Sequence, residues 1–355
     1  MQHAGHSPQI KSRIVSLVVH LPIYPPLGPP RRRQSPRCGP CHTGQRRRLS
    51  DGGAGDRTKP CWSPAKVAPA LAGSNTTNAS PTTAHQHQSV ERTQGRLSGS
   101  FVACGVRIDI AGFDNSIEAI LDAPDEGGRA VHLCNAYTLS LARKDPAFAA
   151  ALNQGDLNLP DGKPLAVLGR RLGIPRSEQV CGPDLMATVI DRGRDRGLRH
   201  YLYGSTPETI AMLTRSLKAR YPGVEIVGTE SPPFRPLTAG ERDELIERVR
   251  AAAPHVVWVG LGTPKQDHFV AEFRDELGAT LIAVGAAFDF LAGLKPRAPK
   301  LLQKLGLEWA FRLASEPRRL WRRYLVGNAS FVRGLVQDWR SAEGFRVARS
   351  EAEVR

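Results

Sequence analysis

Residues 256–266 read VVWVGLGTPKQ, and this stretch decides the fold class. Its first four residues are β-branched or aromatic, a composition typical of a buried strand. Thr263 then stands three residues before Gln266, the spacing of a capping box at the start of a helix, and Pro264 falls where a helix tolerates proline. A strand that passes directly into a helix is the repeating unit of α/β proteins.

The same alternation of strands and helices extends from residue 98 to residue 300. Two more segments, Ser205–Glu208 and Thr238–Glu241, show the capping-box spacing between apolar runs. Strands that alternate with helices predict a mainly parallel sheet with helices on both faces. The predicted strands are Ala130–Cys134, Leu165–Leu168, Tyr201–Tyr203, Val224–Val227, Val256–Leu261 and Thr280–Val284.

The loops that leave the carboxyl ends of these strands carry glycines and polar residues. Parallel sheets bind ligands at these ends, so the loops predict the ligand site. After the fifth strand, free N–H groups and a helix dipole suit a phosphate, and Lys265 would add a full positive charge. Gln266 also has a structural interpretation, because it occupies a capping position. The predicted ligand-binding residues are Asn135, Gly204, Gly260, Gly262, Pro264, Lys265 and Gln266.

Several common motifs are missing from the core sequence. A GxGxxG fingerprint would require glycine where Lys265 stands, which disfavours an NAD-dependent oxidoreductase, and no GxxxxGK[ST] loop occurs. HExxH and GxSxG are also missing. An Asp-x-Asp pair, the usual chelator of a divalent ion against a nucleotide diphosphate, does not occur between residues 98 and 300, so we predict no metal site there.

Asp161 and Gly162 follow Leu157-Asn158-Leu159-Pro160 in a loop ahead of the predicted strand Leu165–Leu168. An Asp before Gly is commonly a turn residue. In a reaction that needs one carboxylate to accept a proton, the same Asp161 would be the general base. Both interpretations stay open on these residues alone.

Residues 1–97 differ from the core in composition. They contain 12 of the 28 prolines, and 14 Lys and Arg against 3 Asp and Glu. Such a segment cannot bury enough apolar area to offset its chain entropy, so we predict that it is disordered. Its arginine triplets raise the alternative of a basic nucleic-acid-binding protein. Few aromatic residues accompany them, and residues 98–294 hold 21 Lys and Arg against 25 Asp and Glu, so we expect no nucleic-acid partner.

Cysteine usage and hydropathy bear on the compartment. Cys38, Cys41 and His42 form only a weak zinc motif, because no second pair follows at finger spacing. The other cysteines are scattered and suit reduced thiols in a cytoplasm. No apolar run approaches the roughly 20 residues of a membrane-spanning helix, and Ile14–Leu21 is too short for a signal peptide core. We therefore expect a cytoplasmic protein.

The C-terminal appendage, residues 301–340, is basic and predicted to be helical, and residues 341–355 are predicted to be a disordered tail. Beyond Pro317, the spacing groups Arg319, Arg322 and Arg323 on one face beside tryptophan and tyrosine. Two interpretations are open: a helix that lies on an anionic membrane surface, or arginines that hold a pyrophosphate. Both would apply if a substrate were a polyprenyl diphosphate, because it carries a lipid chain and a pyrophosphate.

Taken in chain order, these motifs resemble the WecG/TagA/CpsF family, glycosyltransferase family 26, over roughly residues 101–330. Several such strings in the right order are specific, although any one of them alone is not. The motifs are Asn135-Ala136, Leu159-Pro160-Asp161-Gly162, Gly182-Pro183-Asp184-Leu185, VGLGTPKQD at residues 259–267, FDFLAG at residues 288–293, Arg297-Ala298-Pro299, and GLEW at residues 306–309 through Glu316-Pro317-Arg318-Arg319.

The resemblance implies a Rossmann-like fold and an inverting sugar transfer that needs neither a metal ion nor a cofactor. The donor would be a UDP-sugar carrying N-acetylmannosamine, its uronic acid or a related hexose. The acceptor would be a sugar on a polyprenyl diphosphate, used in assembly of surface polysaccharide or teichoic acid. The enzyme would lie on the inner face of the cell membrane, and a homo-oligomer is left open. The resemblance implies that Asp161 is the catalytic base. It also implies that three arginines of the appendage take part in catalysis and membrane contact: Arg312, Arg319 and Arg322.

Two positions depart from the family pattern. Leu133 stands where members such as TagA have threonine, two residues before the Asn, and Gln179 stands where many members have arginine. A hydroxyl group and a positive charge near the donor are therefore missing. These departures leave the identity of the donor sugar open and keep Asp161 as the base.

Overall fold

Two sheets are present among the described residues. The computed structural model describes residues 97–122, 127–341 and 344–349, and these lie in one compact unit. The predictions for residues 1–96, which include disorder and the weak zinc motif, lie outside the described residues. The strands are β1 (Gly99–Ala103), β2 (Val106–Ile110), β3 (Arg129–Cys134), β4 (Leu157–Pro160), β5 (Arg199–Gly204), β6 (Glu225–Glu230), β7 (Val256–Gly260), β8 (Thr280–Ala283) and β9 (Val347–Arg349).

The central sheet has six strands in the order β4-β3-β8-β7-β5-β6, and all its neighbours pair in parallel. The helices are α1 (Phe113–Leu121), α2 (Ala136–Ala142), α3 (Pro146–Asn153), α4 (Lys163–Arg171), α5 (Gly182–Gly193), α6 (Pro207–Arg220), α7 (Ala239–Ala252), α8 (Lys265–Leu277), α9 (Ala287–Leu291), α10 (Lys300–Leu305), α11 (Glu308–Ser315), α12 (Pro317–Trp321) and α13 (Gly327–Arg340). Arg194–Arg196 forms a 3-10 turn and Arg322–Val326 a π-helical turn.

Strand β7 explains why helices cover both faces of this sheet. Val256 and Trp258 pack into a core cluster with residues of α5, α6 and α9. Val257 and Val259 point to the other face and pack with residues of α7 and α8. All four side chains are buried, as expected for an inner strand of a parallel sheet. The fold is therefore Rossmann-like α/β, and the predicted class is confirmed.

The second sheet was not predicted. It is antiparallel, in the order β2-β1-β9, and its strand β9 pairs with β1 from Gly99 opposite Arg349 to Phe101 opposite Val347. The prediction of a disordered tail from residue 341 is therefore wrong at Val347–Arg349. This strand has only 3 residues, too few for a recognisable pattern, and it becomes a strand because β1 offers it an edge to pair with.

One predicted strand is wrong. Leu165–Leu168 lies within helix α4, whose first turn contains Pro164. The strand is instead Leu157–Pro160, where an asparagine and a proline interrupt the apolar pattern. β4 is an edge strand, and an edge strand tolerates a proline, which has no N–H to donate to a neighbouring strand. Short apolar runs do not distinguish a strand from a buried helix segment, which explains the error.

The capping boxes are partly as predicted. Thr238 and Glu241 form the reciprocal box at the start of α7. At the start of α6, the cap is Thr206, whose hydroxyl accepts from the Thr209 N–H, so the predicted Ser205–Glu208 box is wrong. At the start of α8, no side-chain cap is present, and Gln266 bonds instead to the backbone of the preceding loop.

The C-terminal appendage is helical, as the sequence predicts. The predicted start at Pro317 is the start of α12, and the chain continues through the π-helical turn into α13. Helix α13 packs against α2, where Gly327 lies close to Tyr137. Across the described residues, no helix combines the length and the apolar character that crossing a membrane requires.

We predict that Gly204→Ala destabilises the protein by more than about 1 kcal/mol. Gly204 has φ of +126°, and an added Cβ would lie 2.7 Å from the carbonyl carbon of Gly260, where β5 and β7 come together. The control is Gly240→Ala in α7, where an added Cβ would meet no atom within 4 Å. Urea denaturation should show the control equal to or above wild type by about 0.5 kcal/mol. A Gly204→Ala protein as stable as wild type would contradict this close approach of β5 and β7.

Candidate active site

The functional candidates gather at the carboxyl edge of the central sheet. Asn135 follows β3 and Asp161 follows β4, while the chain leaves β5 at Gly204 and β7 at Gly260. Residues 261–264 then lead into α8. Because the strands are parallel, these loops share one edge. The strands that follow β3 in the chain lie on both sides of it, with β4 on one side and β8, β7, β5 and β6 on the other, and such a switch in strand order is where open sheets bind ligands. The residues predicted to bind a ligand therefore lie along this edge, and their role stays a prediction.

Asp161 lies in a polar cradle at the end of β4. Its Oδ2 accepts a hydrogen bond of 3.1 Å from Nδ2 of Asn135, and its Oδ1 accepts one of 3.4 Å from the N–H of Gly182. Gly182 is the first residue of the twelve-residue helix α5, whose free N–H groups favour a negative charge. Asn135 also caps α2 through its Oδ1, which leaves its amide nitrogen aimed at Asp161.

The backbone around Asp161 is held as firmly as its carboxylate. Its N–H donates to the carbonyl of Cys134 at 2.8 Å, which continues the pairing of β3 and β4. Its carbonyl accepts a 2.7 Å hydrogen bond from Nε2 of Gln179. Gln179, one of the two departures from the family pattern, therefore supports the Asp161 loop. Leu133, the other, is buried in the core cluster beneath the sheet edge.

Burial raises the pKa of Asp161 above its ordinary value of 3.8. The hydrogen bonds from Asn135 and Gly182, and the positive charges of Arg323 and Arg312, lower the pKa and oppose this effect only in part. The net result is a carboxylate that is more basic than an aspartate in water. A general base gains from such a shift, because its proton affinity moves toward the working pH.

A second carboxylate, that of Glu308, lies near Asp161 at the start of α11. Burial raises its pKa, the positive charge of Arg297 lowers it, and the negative charge of Asp161 raises it. Glu308 has no hydrogen-bond or ion-pair partner among the residues that the structure describes. Arg297 itself is paired with Asp184 of α5 by two hydrogen bonds, one of 2.9 Å between Nη2 and Oδ2.

The arginines of the appendage separate into two groups. Arg312 and Arg323 are partly buried and close enough to Asp161 to influence its pKa. Arg312 also lies over the ring of Phe290, 5.5 Å from its centre. By contrast, Arg319 is exposed and forms an ion pair with Glu316. Arg322 is also exposed, and its guanidinium carbon lies 5.2 Å from the centre of the Trp321 ring.

Of the arginines implied by the resemblance, the structure therefore brings Arg312 near Asp161. Arg319 and Arg322 have no hydrogen bond or ion pair to the Asp161 loop among the described residues. Arg323, which is not among the catalytic residues implied by the resemblance, also lies near Asp161. The sequence carried only a weak signal for it, the grouping of three arginines on one helix face.

The loop after β7 is closely packed at one end and open at the other. Oε1 of the buried Gln266 accepts a 3.0 Å hydrogen bond from the N–H of Gly262, so Gln266 shapes the loop. Gly262 has φ of +78°, a conformation that favours glycine. Pro264 and Lys265 are exposed, and Lys265 has no ion-pair partner within the described part of the chain. The ammonium group of Lys265 is free to meet an anion.

A buried contact between a histidine and an aspartate lies beneath these loops and was missed from the sequence. Nδ1 of His132 lies 3.2 Å from Oδ1 of Asp267, and both side chains are fully buried. His132 is in β3, three residues before Asn135, and Asp267 follows Gln266 in α8. The pair therefore joins the strand that leads to Asn135 to the helix that begins at Lys265. Removing one partner of a buried hydrogen bond leaves the other unsatisfied and is costly, which favours a fixed relation between the two loops.

Comparison with known families decides the class of this site. The model described as the glycosyl transferase WecG/TagA/CpsF family matches residues 101–344, which include the central sheet, the Asp161 loop and the appendage. The chain belongs to the WecG/TagA/CpsF family. It is a glycosyltransferase, and membership assigns the core to sugar transfer rather than to hydride transfer with NAD. The resemblance inferred from the motifs is confirmed.

A curated family relative comes from Bacillus spizizenii. It is named N-acetylglucosaminyldiphosphoundecaprenol N-acetyl-beta-D-mannosaminyltransferase. It is 30% identical to this chain over 185 residues, which cover 52% of this chain and 70% of the relative.

We predict that Asp161→Asn raises the thermal stability at pH 7. The folded-state pKa of Asp161 is above its ordinary value, so the folded protein loses stability as the pH rises through that pKa. At neutral pH the full cost of the buried charge is present, and an uncharged amide removes it. The measurement is the melting temperature at pH 7, compared with pH 4.

The matched control is Asp184→Asn, which weakens a charge-assisted pair with Arg297 and should lower stability by about 1–3 kcal/mol. An Asp161→Asn protein that melts below wild type at pH 7 would show that the carboxylate stabilises the fold, contrary to the desolvation cost inferred for its charged form.

Proposed function

We propose that this enzyme transfers a sugar, of N-acetylmannosamine type or a related hexose, from a UDP-sugar to a saccharide on a polyprenyl diphosphate. The transfer is a single displacement that inverts the anomeric centre, with Asp161 as base and without a metal ion. The observation that carries the proposal is the cradled, desolvated carboxylate of Asp161 at the sheet edge. The nature of the acceptor is supported by the name of the Bacillus spizizenii relative.

The span of the sheet edge suits an extended donor. Asp161 follows β4 and the Lys265 loop follows β7, three strand spacings apart in the strand order. At a spacing of about 4.8 Å, this is about 14 Å. A nucleotide diphosphate sugar is an elongated molecule. It could lie along the edge with its diphosphate toward Gly262, Lys265 and Gln266 and its sugar toward Asp161.

The reaction requires one proton acceptor and one way to stabilise the leaving group. The acceptor hydroxyl oxygen forms the new bond to the anomeric carbon, and its proton passes to the carboxylate of Asp161. The bond between the anomeric carbon and the diphosphate oxygen breaks, and UDP leaves with the electron pair. Lys265, Arg312 and the N–H groups at the start of α8 are suited to the added negative charge, in place of the divalent ion that an Asp-x-Asp pair would hold.

The surface of the appendage supports a position on a membrane. Arg318, Arg319 and Arg322 are exposed there, and basic residues near anionic lipid contribute about 1 kcal/mol each. We propose a peripheral position on the cytoplasmic face of the cell membrane, where a lipid-linked acceptor for surface polysaccharide would be within reach. Exposed large apolar residues accompany the arginines: Leu294, Leu301, Leu305, Trp309, Trp321, Leu325 and Val326.

We expect Asp161→Asn to lower kcat by about 10²- to 10⁴-fold, because the proton of the acceptor hydroxyl loses its acceptor. UDP release from a panel of UDP-sugars, with a short-chain prenyl-diphosphate-linked saccharide as acceptor, measures this. Asp243→Asn, a change at an exposed position of α7, should retain wild-type kcat. In wild type, the acid limb of kcat/KM should lie above the 3.8 of ordinary aspartate, since only the deprotonated carboxylate accepts a proton. Wild-type turnover by Asp161→Asn would rule out Asp161 as the base.

We also expect the triple variant Leu301→Ser, Leu305→Ser and Leu325→Ser to bind vesicles of anionic phosphatidylglycerol at least about tenfold more weakly, because it removes exposed apolar area from the appendage. Cosedimentation with vesicles measures this. The control is Phe234→Ser, which removes an apolar side chain that is 86% exposed and lies outside the appendage. Equal binding of the triple variant and wild type would locate the membrane contact elsewhere.

A further inference from the structure

Arg323 lies in an environment unlike that of the neighbouring arginines. Its guanidinium carbon lies 4.6 Å from the centre of the Tyr137 ring, at the start of α2. Its Nε is buried without a hydrogen-bond partner. Arg319 and Arg322, one turn and one residue earlier, are exposed. A single arginine of the group is therefore turned toward the protein.

The local helix geometry accounts for this orientation. Residues 322–326 form a π-helical turn between α12 and α13. A π-helical turn holds one more residue than an α-helical turn and so changes which side chains face inward, and such turns are frequent at functional sites. In this chain the turn directs Arg323 toward α2 while leaving Arg322 in solvent. Helix α13 fixes the far end of the turn, since Gly327 packs against Tyr137 and Ser140.

The charge of Arg323 is not compensated within the described residues. Burial lowers its pKa, and the positive charge of Arg312 lowers it further, against the opposing influence of Tyr324. No carboxylate among those residues makes a hydrogen bond or an ion pair with it; Asp161 acts on it only at longer range. A partly buried guanidinium that lacks a paired anion is unfavourable until an anionic ligand arrives.

We propose that Arg323 binds the diphosphate of a substrate, held in place by Tyr137 and assisted by Arg312. This inference rests on the proposed function, because it takes the anion from a substrate of that reaction. The planar guanidinium matches two phosphate oxygens at once, which lysine cannot reproduce. The reaction involves two diphosphates, that of the nucleotide donor and that of the lipid-linked acceptor, and the chemistry of recognition is the same for both.

The experiment compares Arg323→Gln and Arg323→Lys with wild type and with Arg333→Gln, which removes an exposed arginine from the adjacent helix α13. Calorimetry measures the affinity for UDP and for inorganic pyrophosphate. Steady-state kinetics then gives KM for the UDP-sugar and for a short-chain prenyl-diphosphate-linked acceptor. Melting temperatures establish that each variant is folded. Tyr137→Leu is a further variant that keeps the cation and removes the ring beneath it.

For Arg323→Gln we expect a loss of about 10- to 100-fold in the affinity for one diphosphate, the range of a lost charge-assisted contact, with a smaller loss for Arg323→Lys and for Tyr137→Leu. Arg333→Gln should match wild type. Weaker UDP binding with a raised donor KM assigns Arg323 to the donor, and a raised acceptor KM alone assigns it to the acceptor. Either result supports the inference.

A folded Arg323→Gln protein whose UDP and pyrophosphate affinities and both KM values stay within twofold of wild type overturns it. The two proposals fail separately. A wild-type protein that binds UDP and pyrophosphate but transfers no sugar would remove the proposed function, while the pyrophosphate affinity of Arg323→Gln would still decide the role of Arg323.

Discussion

The parallel direction of all six central strands is the constraint on which the rest of the molecule depends. Because the strands point the same way, every loop that follows a strand leaves from one edge, and the chain can bring residues distant in sequence together only there. Asn135 and Asp161 meet across the β3–β4 pair for this reason. The buried strand β7 sets the position of the Lys265 loop by the same rule.

The site is organised around charges that the protein leaves unneutralised. Asp184 and Arg297 are joined, and they fix α5 to the segment ahead of the appendage. Asp161, Glu308, Arg312 and Arg323 make no ion pair with one another among the described residues. Keeping such groups partly buried reduces stability, and natural proteins accept this at functional sites. Carboxylates suit the hydroxyl groups of sugars and guanidinium groups suit a diphosphate, so the arrangement fits both halves of a sugar transfer.

The sequence indicates the fold well and the site in part. The apolar strands and Thr238–Glu241 were predictable because each depends on local pattern. The small sheet was not, since β9 is a strand only through its partner β1. The Asp161 loop could be found through its motif, but the desolvation that raises its pKa depends on packing from other elements. The choice among the arginines could not be made from spacing, because an ideal helix groups all three and only the π-helical turn separates the inward Arg323. The pair of His132 and Asp267 escaped notice because its members are 135 residues apart in the chain.

In the proposed mechanism, one carboxylate acts as a base in a direct displacement, rather than as a nucleophile that holds the sugar covalently. The anomeric configuration of the product tests this most directly. After transfer from a UDP-sugar of known configuration, the one-bond carbon–proton coupling at the new anomeric centre reports the outcome by nuclear magnetic resonance. Direct displacement predicts a configuration opposite to that of the donor. A product that retains the donor configuration would contradict it.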